Sequence, residues 1–212
     1  MAVKTNWSAA LKPLLKKYKG KKHPLDYHTI YQLLVMTILA ARDADRRINE
    51  RAPKIFESYP DMKALSKADV EDLKQLIKGI VNYRNKANWL IQLAQTIQVD
   101  KNIPLTLDAM IKLPGIGRKS ANVIMHEAKA KPEGVIVDLH VVRVAPRLGI
   151  ATGTNAEKIE KQLMEALPQK EWGDAGMAIS FLGRETCRPQ KPKCSECLMP
   201  AICLYYKNAG AK

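Results

Sequence analysis

Cysteine is absent from this chain before residue 187, and long apolar runs are absent throughout. The N-terminal stretch MAVKTNWSAALKPLLKKYKGKK lacks the apolar run that a secretory signal needs. The most apolar stretch, residues 30–41, is too short to span a bilayer. Internal repeats and low-complexity tracts are also missing, and 46% hydrophobic residues is too many for a disordered chain. We therefore expect a globular cytoplasmic protein that does not bind membranes.

Acidic residues are scarce relative to basic ones. The chain has 21 Asp and Glu against 35 Lys and Arg, which gives a formal net charge of +14. The basic residues cluster at 16–22, 46–51 and 184–193 instead of being spread evenly. An excess of this size favours a polyanionic partner, and nucleic acid is the commonest one.

Helical patterns dominate the chain. Two segments begin with a capping box, in which an N-cap side chain and an acid three residues later satisfy backbone amides. These segments are 66–79, with Ser66 and Asp69, and 154–167, with Thr154 and Glu157. Residues 28–42 are apolar nearly all round, which predicts a buried central helix, and residues 84–99 have a helical apolar period. Only residues 134–142 resemble a strand, and that segment is isolated. The patterns predict an all-α protein with two helical lobes and a cleft between them.

Residues 105–130 resemble two helices joined by Pro114-Gly115-Ile116-Gly117. Thr106 is placed to cap the first helix, and a buried stripe is expected on the second. The stripe consists of Ala121, Ile124, Met125 and Ala128. Gly115 and Gly117 allow a sharp turn that leaves N–H groups at a helix N-terminus, which is a potential phosphate site.

Lys119 lies in the first turn of the second of these helices, opposite the stripe. Most lysines on a polar helix face are simply solvated. Here the positive end of the helix dipole and the adjacent Arg118 both disfavour the ammonium form, which favours a nucleophilic amine. Asp138 also has two compatible interpretations, since it can be an N-cap residue and a working carboxylate at once.

The four cysteines are Cys187, Cys194, Cys197 and Cys203, in the spacing C-x6-C-x2-C-x5-C. Two disulfides, a zinc ion or an iron–sulfur cluster could account for them. A reducing cytoplasm disfavours disulfides. The spacing alone leaves zinc open, because a tetrahedral site of four thiolates also fits it, and it differs from the ferredoxin-type run.

Three motifs taken together resemble the endonuclease III family of DNA glycosylases and abasic-site lyases, within the helix-hairpin-helix superfamily. They are LPGIGRKSANV, VDLH and the four-cysteine loop, in the order and spacing typical of the family, and the resemblance covers about residues 24–206. It implies a six-helix domain at 24–132 that carries the hairpin. Residues 1–23 and 133–212 would form a cluster domain, with a [4Fe–4S] cluster held by Cys187, Cys194, Cys197 and Cys203.

The resemblance also implies base excision repair by a monomer acting in a prokaryotic nucleoid on double-stranded DNA that contains damaged bases or abasic sites. A flipped nucleotide would be attacked at C1′ by Lys119, with Asp138 stabilising positive charge on the sugar; a Schiff base and β-elimination would follow. Oxidised pyrimidines are the expected lesions. The residues expected to contact DNA are Gly115, Gly117, Arg118, Arg42, Asn82, His140, Arg188, Lys191 and Lys193. For His140 a structural role is equally compatible.

Two positions depart from the family pattern. Arg42 and Asn82 occupy wedge positions that are usually Gln and Leu, which leaves the lesion and opposite-base preferences open. An adenine glycosylase is disfavoured because Met36 occupies the position of its acid and because Lys119 is present. A relative with shifted lesion specificity and a non-catalytic DNA-binding module with a structural metal remain alternatives. Retention of both Lys119 and Asp138 argues against the binding module.

Overall fold

The computed structural model describes residues 5–209, and this part of the chain is helical, as the sequence predicts. No strand occurs within residues 5–209, so the strand-like interpretation of 134–142 is wrong. Residues 135–137 are buried but belong to no regular secondary structure, and a helix begins at Leu139. None of the helices in the described part of the chain is long and apolar enough to cross a membrane. The chain divides into two compact units.

The first unit, which we call the hairpin unit, is Lys22–Ala130. Its helices are α2 (Ile30–Ala40), α3 (Asp45–Ser58), α4 (Met62–Leu65), α5 (Val70–Leu76), α6 (Tyr83–Ile97), α7 (Leu107–Met110) and α8 (Arg118–Glu127). Helix α2 is buried along most of its length and packs against α3, α6 and α8. It is the central buried helix that the apolar run predicts, and α6 confirms the helix expected at 84–99.

The second unit, which we call the cysteine unit, combines the N-terminal segment up to Lys21 with the segment from Lys131 onward. Its helices are α1 (Trp7–Tyr18), α9 (Leu139–Leu148), α10 (Ala156–Ala166), α11 (Trp172–Glu185) and α12 (Leu204–Ala209). Helix α11 packs closely on α9 and on the segment just before it, because it presents glycines there. A Cβ added at Gly176 would lie 2.7 Å from the Ile136 carbonyl oxygen, and one at Gly183 would lie 2.7 Å from the His140 Cβ.

The two predicted capping boxes are displaced from the true helix starts. Ser66 closes α4 and donates its hydroxyl to a carbonyl of that helix, whereas Asp69 is the N-cap of α5. In the other segment the N-cap of α10 is Asn155, one residue after Thr154, and its side chain accepts from the Lys158 amide. Asparagine is a stronger N-cap than threonine, which accounts for the shift in α10.

Candidate functional site

The corner between α7 and α8 has the pattern of a type II turn. The Leu113 carbonyl accepts from the Ile116 amide at 3.2 Å, with Pro114 in the second position and Gly115 in the third. Gly115 has φ +78°, and a Cβ there would lie 3.2 Å from the Trp89 ring. The fold therefore strongly favours glycine at 115. The preceding helix, α7, has only four residues and is shorter than the sequence predicts, although Thr106 does occupy its N-cap position.

Gly117 serves as the N-cap residue of α8 for a different reason. Its φ of −98° and ψ of 172° suit any residue, and a Cβ placed there would meet nothing within 4 Å. Gly117 is exposed and begins the helix, since its carbonyl accepts from the Ala121 amide at 2.9 Å. The fold thus leaves open space around Gly117, next to the N-terminal amides of α8.

Lys119 lies in the first turn of α8 and is exposed, and Arg118, which precedes it, is half-buried. The buried face of this helix includes Ala121, Ile124 and Met125, as predicted, and also Asn122 and Val123. The predicted stripe is wrong at Ala128, because the helix ends there and this residue is only half-buried. Lys119 belongs to the hairpin unit, whereas Asp138 belongs to the cysteine unit.

Asp138 is the N-cap of α9, and both of its carboxylate oxygens accept hydrogen bonds. Oδ1 accepts from the amides of His140 and Val141, each at 2.9 Å, and Oδ2 accepts from the Ser180 hydroxyl at 2.6 Å. The Arg184 guanidinium lies 3.9 Å from Oδ2, and the Asp138 side chain is only 11% exposed. These contacts hold the carboxylate in one orientation.

His140 is oriented by an arginine on its own helix. Arg143 Nη2 lies 3.2 Å from His140 Nδ1 and donates to the Gly183 carbonyl at 2.9 Å, while Arg143 Nε donates to the Cys187 carbonyl at 3.1 Å. Because a guanidinium can only donate, Nδ1 is the acceptor in this contact. Burial lowers the pKa of Arg143.

Arg42 and Asn82 lie on two exposed loops of the hairpin unit, after α2 and before α6 respectively. Both have left-handed backbones, with φ 62° at Arg42 and 59° at Asn82. This conformation costs about 1–2 kcal/mol in a residue with a Cβ and is best tolerated by Asn. Asparagine at 82 therefore suits its backbone, whereas arginine at 42 adopts a conformation that local preference does not favour.

The four cysteines line one cavity of the cysteine unit. Burial together with the neighbouring thiols raises the pKa of both Cys194 and Cys197. Four thiolates would therefore repel one another here unless a positive charge lay among them. Within residues 5–209, no three His, Cys, Asp or Glu side chains form a group that could hold a single metal ion.

Arg147 connects α9 to the cysteine loop. Its Nη1 lies 3.4 Å from Cys187 Sγ and donates to the Arg188 carbonyl at 2.8 Å, and its Nη2 donates to the Pro189 carbonyl at 3.1 Å. Its guanidinium also stacks 4.6 Å from the Tyr205 ring centroid. Arg188, Lys191 and Lys193 are exposed on the same loop, and Lys193 Nζ lies 3.2 Å from a Glu196 carboxylate oxygen.

Three residues of the site were not predicted from the sequence: Ser180, Arg143 and Arg147. The two arginines could have been found, because they lie four residues apart in the helix that follows Asp138 and so share one face. For Ser180 no local signal exists, since its role depends on how α11 packs on α9.

The matching family model is the HhH-GPD superfamily of base excision DNA repair proteins, over residues 35–169. An endonuclease III from Synechocystis sp. is 37% identical over 206 residues, which covers 96% of this chain and 94% of that relative. A solved non-covalent endonuclease III–DNA complex has a TM-score of 0.86 at 31% identity, covering 99% of this chain and 100% of the other. A trapped endonuclease III–DNA covalent intermediate, described as an estranged-adenine complex, also has a TM-score of 0.86 at 31% identity. It covers 98% of this chain and 99% of the other.

Proposed function

The chain belongs to the endonuclease III family of the HhH-GPD superfamily and is a DNA glycosylase and abasic-site lyase of base excision repair, and we propose that Lys119 is its nucleophile. The observation that carries this assignment is an exposed lysine in the first turn of a helix that begins at an open glycine corner. A backbone phosphate can approach the amides at Gly117, which would bring the adjoining nucleotide toward the Lys119 amine. We assign Lys22–Ala130 as the hairpin domain and the other unit as the cluster domain.

In the proposed reaction, the Lys119 nitrogen bonds to C1′ of the flipped nucleotide as the bond from C1′ to the base breaks. The base departs with a proton, and opening of the sugar gives a Schiff base between Lys119 and C1′. Removal of a proton from C2′ then breaks the C3′–O bond, which cuts the strand on the 3′ side. Asp138 stabilises the positive charge that develops on the sugar, and its contacts with Ser180 and the α9 amides keep its carboxylate fixed for this role.

We propose oxidised pyrimidines in double-stranded DNA as the lesions and the bacterial chromosome as the place of action, with a monomer as the active species. The proposed contacts fall into three groups: phosphate contacts at the glycine corner, wedge contacts on the two left-handed loops, and basic contacts on the cysteine loop. The residues are Gly115, Gly117 and Arg118; Arg42 and Asn82; and Arg188, Lys191 and Lys193. His140 is assigned a structural role next to Asp138, because Arg143 fixes its ring.

The chemistry of the cysteine cavity suits a [4Fe–4S] cluster. In such a cluster each thiolate binds a different iron, so four sulfurs can line one cavity without converging as ligands of a single ion. A positively charged iron–sulfur core would relieve the repulsion among four thiolates, and the Arg147 guanidinium would donate to the sulfur of Cys187. When bound, the cluster would brace the loop that carries Arg188, Lys191 and Lys193.

The assignment of Lys119 is tested by borohydride trapping. Wild-type protein should be captured covalently on abasic-site DNA, because borohydride reduces a Schiff base. The Lys119→Gln variant should show neither trapping nor strand cleavage, yet should bind lesion DNA within about threefold of wild type, since one charge is a small part of the phosphate contacts. Wild-type trapping and cleavage in this variant would exclude Lys119 as the nucleophile.

The Asp138→Asn variant tests the charge of the carboxylate separately from the stability of the fold. Asparagine retains the ability to cap α9 but loses the negative charge, so base excision should fall by about 100-fold or more while the unfolding midpoint stays close to wild type. If wild-type protein binds damaged DNA but neither cleaves it nor is trapped on it, the chain is a non-catalytic binding module.

The cluster assignment predicts about four irons and four sulfides per chain in protein purified without oxygen, with broad absorbance near ~400 nm. Arg147→Met should leave iron content near wild type but accelerate the loss of that absorbance in air, because the variant lacks the guanidinium that holds the loop. The exposed Arg46→Met substitution, on α3 of the hairpin unit, is the control and should not change the rate. Stoichiometric zinc without iron in the native protein would contradict the assignment.

A further inference from the structure

A buried lysine joins the two left-handed loops of the hairpin unit. Lys86 lies one turn after Asn82 in α6 and is only 1% exposed. Its Nζ donates to the carbonyls of Leu39 and Ala41, each at 2.8 Å, at the end of α2 just before Arg42. A side chain from the second loop's helix therefore holds the backbone of the first loop.

Asp43 makes the reciprocal connection. Its side chain is 2% exposed, its Oδ1 accepts from the Ala44 amide at 2.8 Å, and its Oδ2 accepts from the Val81 amide at 2.9 Å. A side chain of the first loop therefore holds the backbone of the second, next to Asn82. Arg47 adds a third link, because its Nη1 donates to the Gly79 carbonyl at 3.2 Å.

Packing alone does not require these charges. Two apolar side chains could fill the same space, and burying an ammonium and a carboxylate is costly unless both are fully hydrogen-bonded. The polar groups differ from apolar ones because each forms a directional hydrogen bond to a particular backbone amide or carbonyl and so fixes the position of that atom. Left-handed residues other than glycine persist where the surroundings over-determine them, and both Arg42 and Asn82 are flanked by such fixed atoms.

We propose that Lys86 and Asp43 are positioning residues that make the Arg42 loop and the Asn82 loop one rigid wedge. The inference rests on the proposed function, in which Arg42 and Asn82 enter the duplex when the damaged nucleotide is flipped. With the loops joined, the two side chains enter at a fixed spacing and in one step. Without the connection, each loop would have to be ordered separately during flipping, and extrusion of a paired base would be slow.

The test compares two substrates in the Lys86→Met variant, which keeps the length of the side chain and removes its charge. Excision of a paired lesion base should fall about tenfold, which matches a typical coupling between contacting residues. Cleavage at a preformed abasic site should stay within about twofold, because that nucleotide costs less to extrude. Lys74→Met is the charge control; its lysine pairs with Glu71 on α5, and both activities should be unchanged.

A double-mutant cycle separates positioning from general stability. In an Arg42→Ala background, Lys86→Met should have little further effect on lesion excision, because it acts through Arg42. Leu93→Ala, fully buried on the same helix, provides a destabilised control that should reduce both activities together. If Lys86→Met does not fold, Asp43→Asn takes its place in the same measurements.

Equal losses on both substrates, full additivity with Arg42→Ala, or unchanged excision would each overturn the positioning role. The proposed function fails differently. If Arg42→Ala and Asn82→Ala leave the ratio of excision to abasic cleavage unchanged, the wedge assignment itself is wrong. If wild-type protein is never trapped, the nucleophile assignment is wrong.

Discussion

Gly115 and Gly117 are two residues apart, yet the fold itself favours glycine only at 115. The positive φ of Gly115 and its close approach to Trp89 oppose a side chain, whereas Gly117 has an ordinary backbone and open space around it. The fold itself therefore does not require glycine at 117. In the proposed function a DNA phosphate approaches this corner and needs the backbone amides unobstructed.

Substitution at these glycines should separate stability from DNA binding. Gly117→Ala should change the free energy of unfolding by less than about 1 kcal/mol, because the gain from a less flexible unfolded chain is offset by alanine being a poorer N-cap residue than glycine. It should nevertheless weaken DNA binding roughly tenfold. Gly115→Ala should instead lower the free energy of unfolding by more than about 1 kcal/mol, since the left-handed backbone and the Trp89 contact both oppose a Cβ. Urea unfolding and fluorescence anisotropy measure the two effects, and unchanged DNA affinity in Gly117→Ala would contradict the phosphate contact.

At the scale of single elements, helix type is predictable from the sequence but helix ends are not. The central helix α2 and the amphipathic α6 follow from apolar periodicity, because burial is a property of the whole segment. The capping signal is degenerate: Ser66 and Asp69 are both good N-cap residues, and the folded chain uses Ser66 to close one helix and Asp69 to begin the next. Only tertiary packing distinguishes these uses.

The buried segment before Asp138 shows a second limit of prediction from the sequence. Residues 135–137 are a β-branched run that resembles a strand in the sequence, yet they pack against a helix instead of another strand. Gly176 makes this possible by letting α11 approach the Ile136 backbone. The N-cap role of Asp138 was predictable from its own neighbours, but its bond to Ser180 was not, because it joins residues 42 apart in the chain.

The contribution of Asp43, which joins the Arg42 loop to the Asn82 loop, to the free energy of unfolding should depend on pH. Burial raises the pKa of Asp43, but the bonds from Val81 and Ala44 together with the Arg47 and Lys86 charges outweigh that effect and hold it below the ordinary 3.8. A carboxyl whose pKa is lowered in the folded state stabilises the fold at pH values above its unfolded pKa. That contribution is lost as pH falls through the folded value.

The free energy of unfolding of Asp43→Asn should therefore be lower than that of wild type at pH 7, and the difference should shrink as pH falls below about 4. Chemical unfolding at several pH values measures it. The exposed N-cap Asp61→Asn is the control, because asparagine caps a helix about as well as aspartate does. A difference between wild type and Asp43→Asn that is independent of pH would show that the Asp43 charge does not contribute.

At the scale of the whole molecule, the family motifs identify the reaction, whereas the sequence could not show how each unit supports its residues. The motifs are short and local, so Lys119, Asp138 and the four cysteines are visible without a structure. The groups that support them are not. Lys86, Ser180 and Arg147 act through contacts across 45, 42 and 40 residues of chain, which no sequence period reveals.

The net charge of +14 predicts how the molecule as a whole binds DNA. If ~4–6 phosphates are neutralised, the logarithm of affinity should fall with the logarithm of salt concentration at a slope of roughly −4 to −5. Arg188→Ala and Lys191→Ala should each make that slope shallower by up to about one unit without changing lesion preference, because phosphate contacts carry no base information. Lys193→Ala should have a smaller effect, since Glu196 already pairs with this lysine.

The control for the salt experiment is Lys161→Ala, which removes the same charge from an exposed position on α10. Loss of long-range attraction alone would change the slope equally in the control and the loop variants, because every lysine contributes to the net charge. A contact-specific effect would appear only in the loop variants, since counterions are released only where a side chain lies against a phosphate. Equal slopes for Lys161→Ala and Arg188→Ala would mean that the cysteine loop attracts DNA without contacting it. The bracing role proposed for the cluster would then have no DNA contact to support.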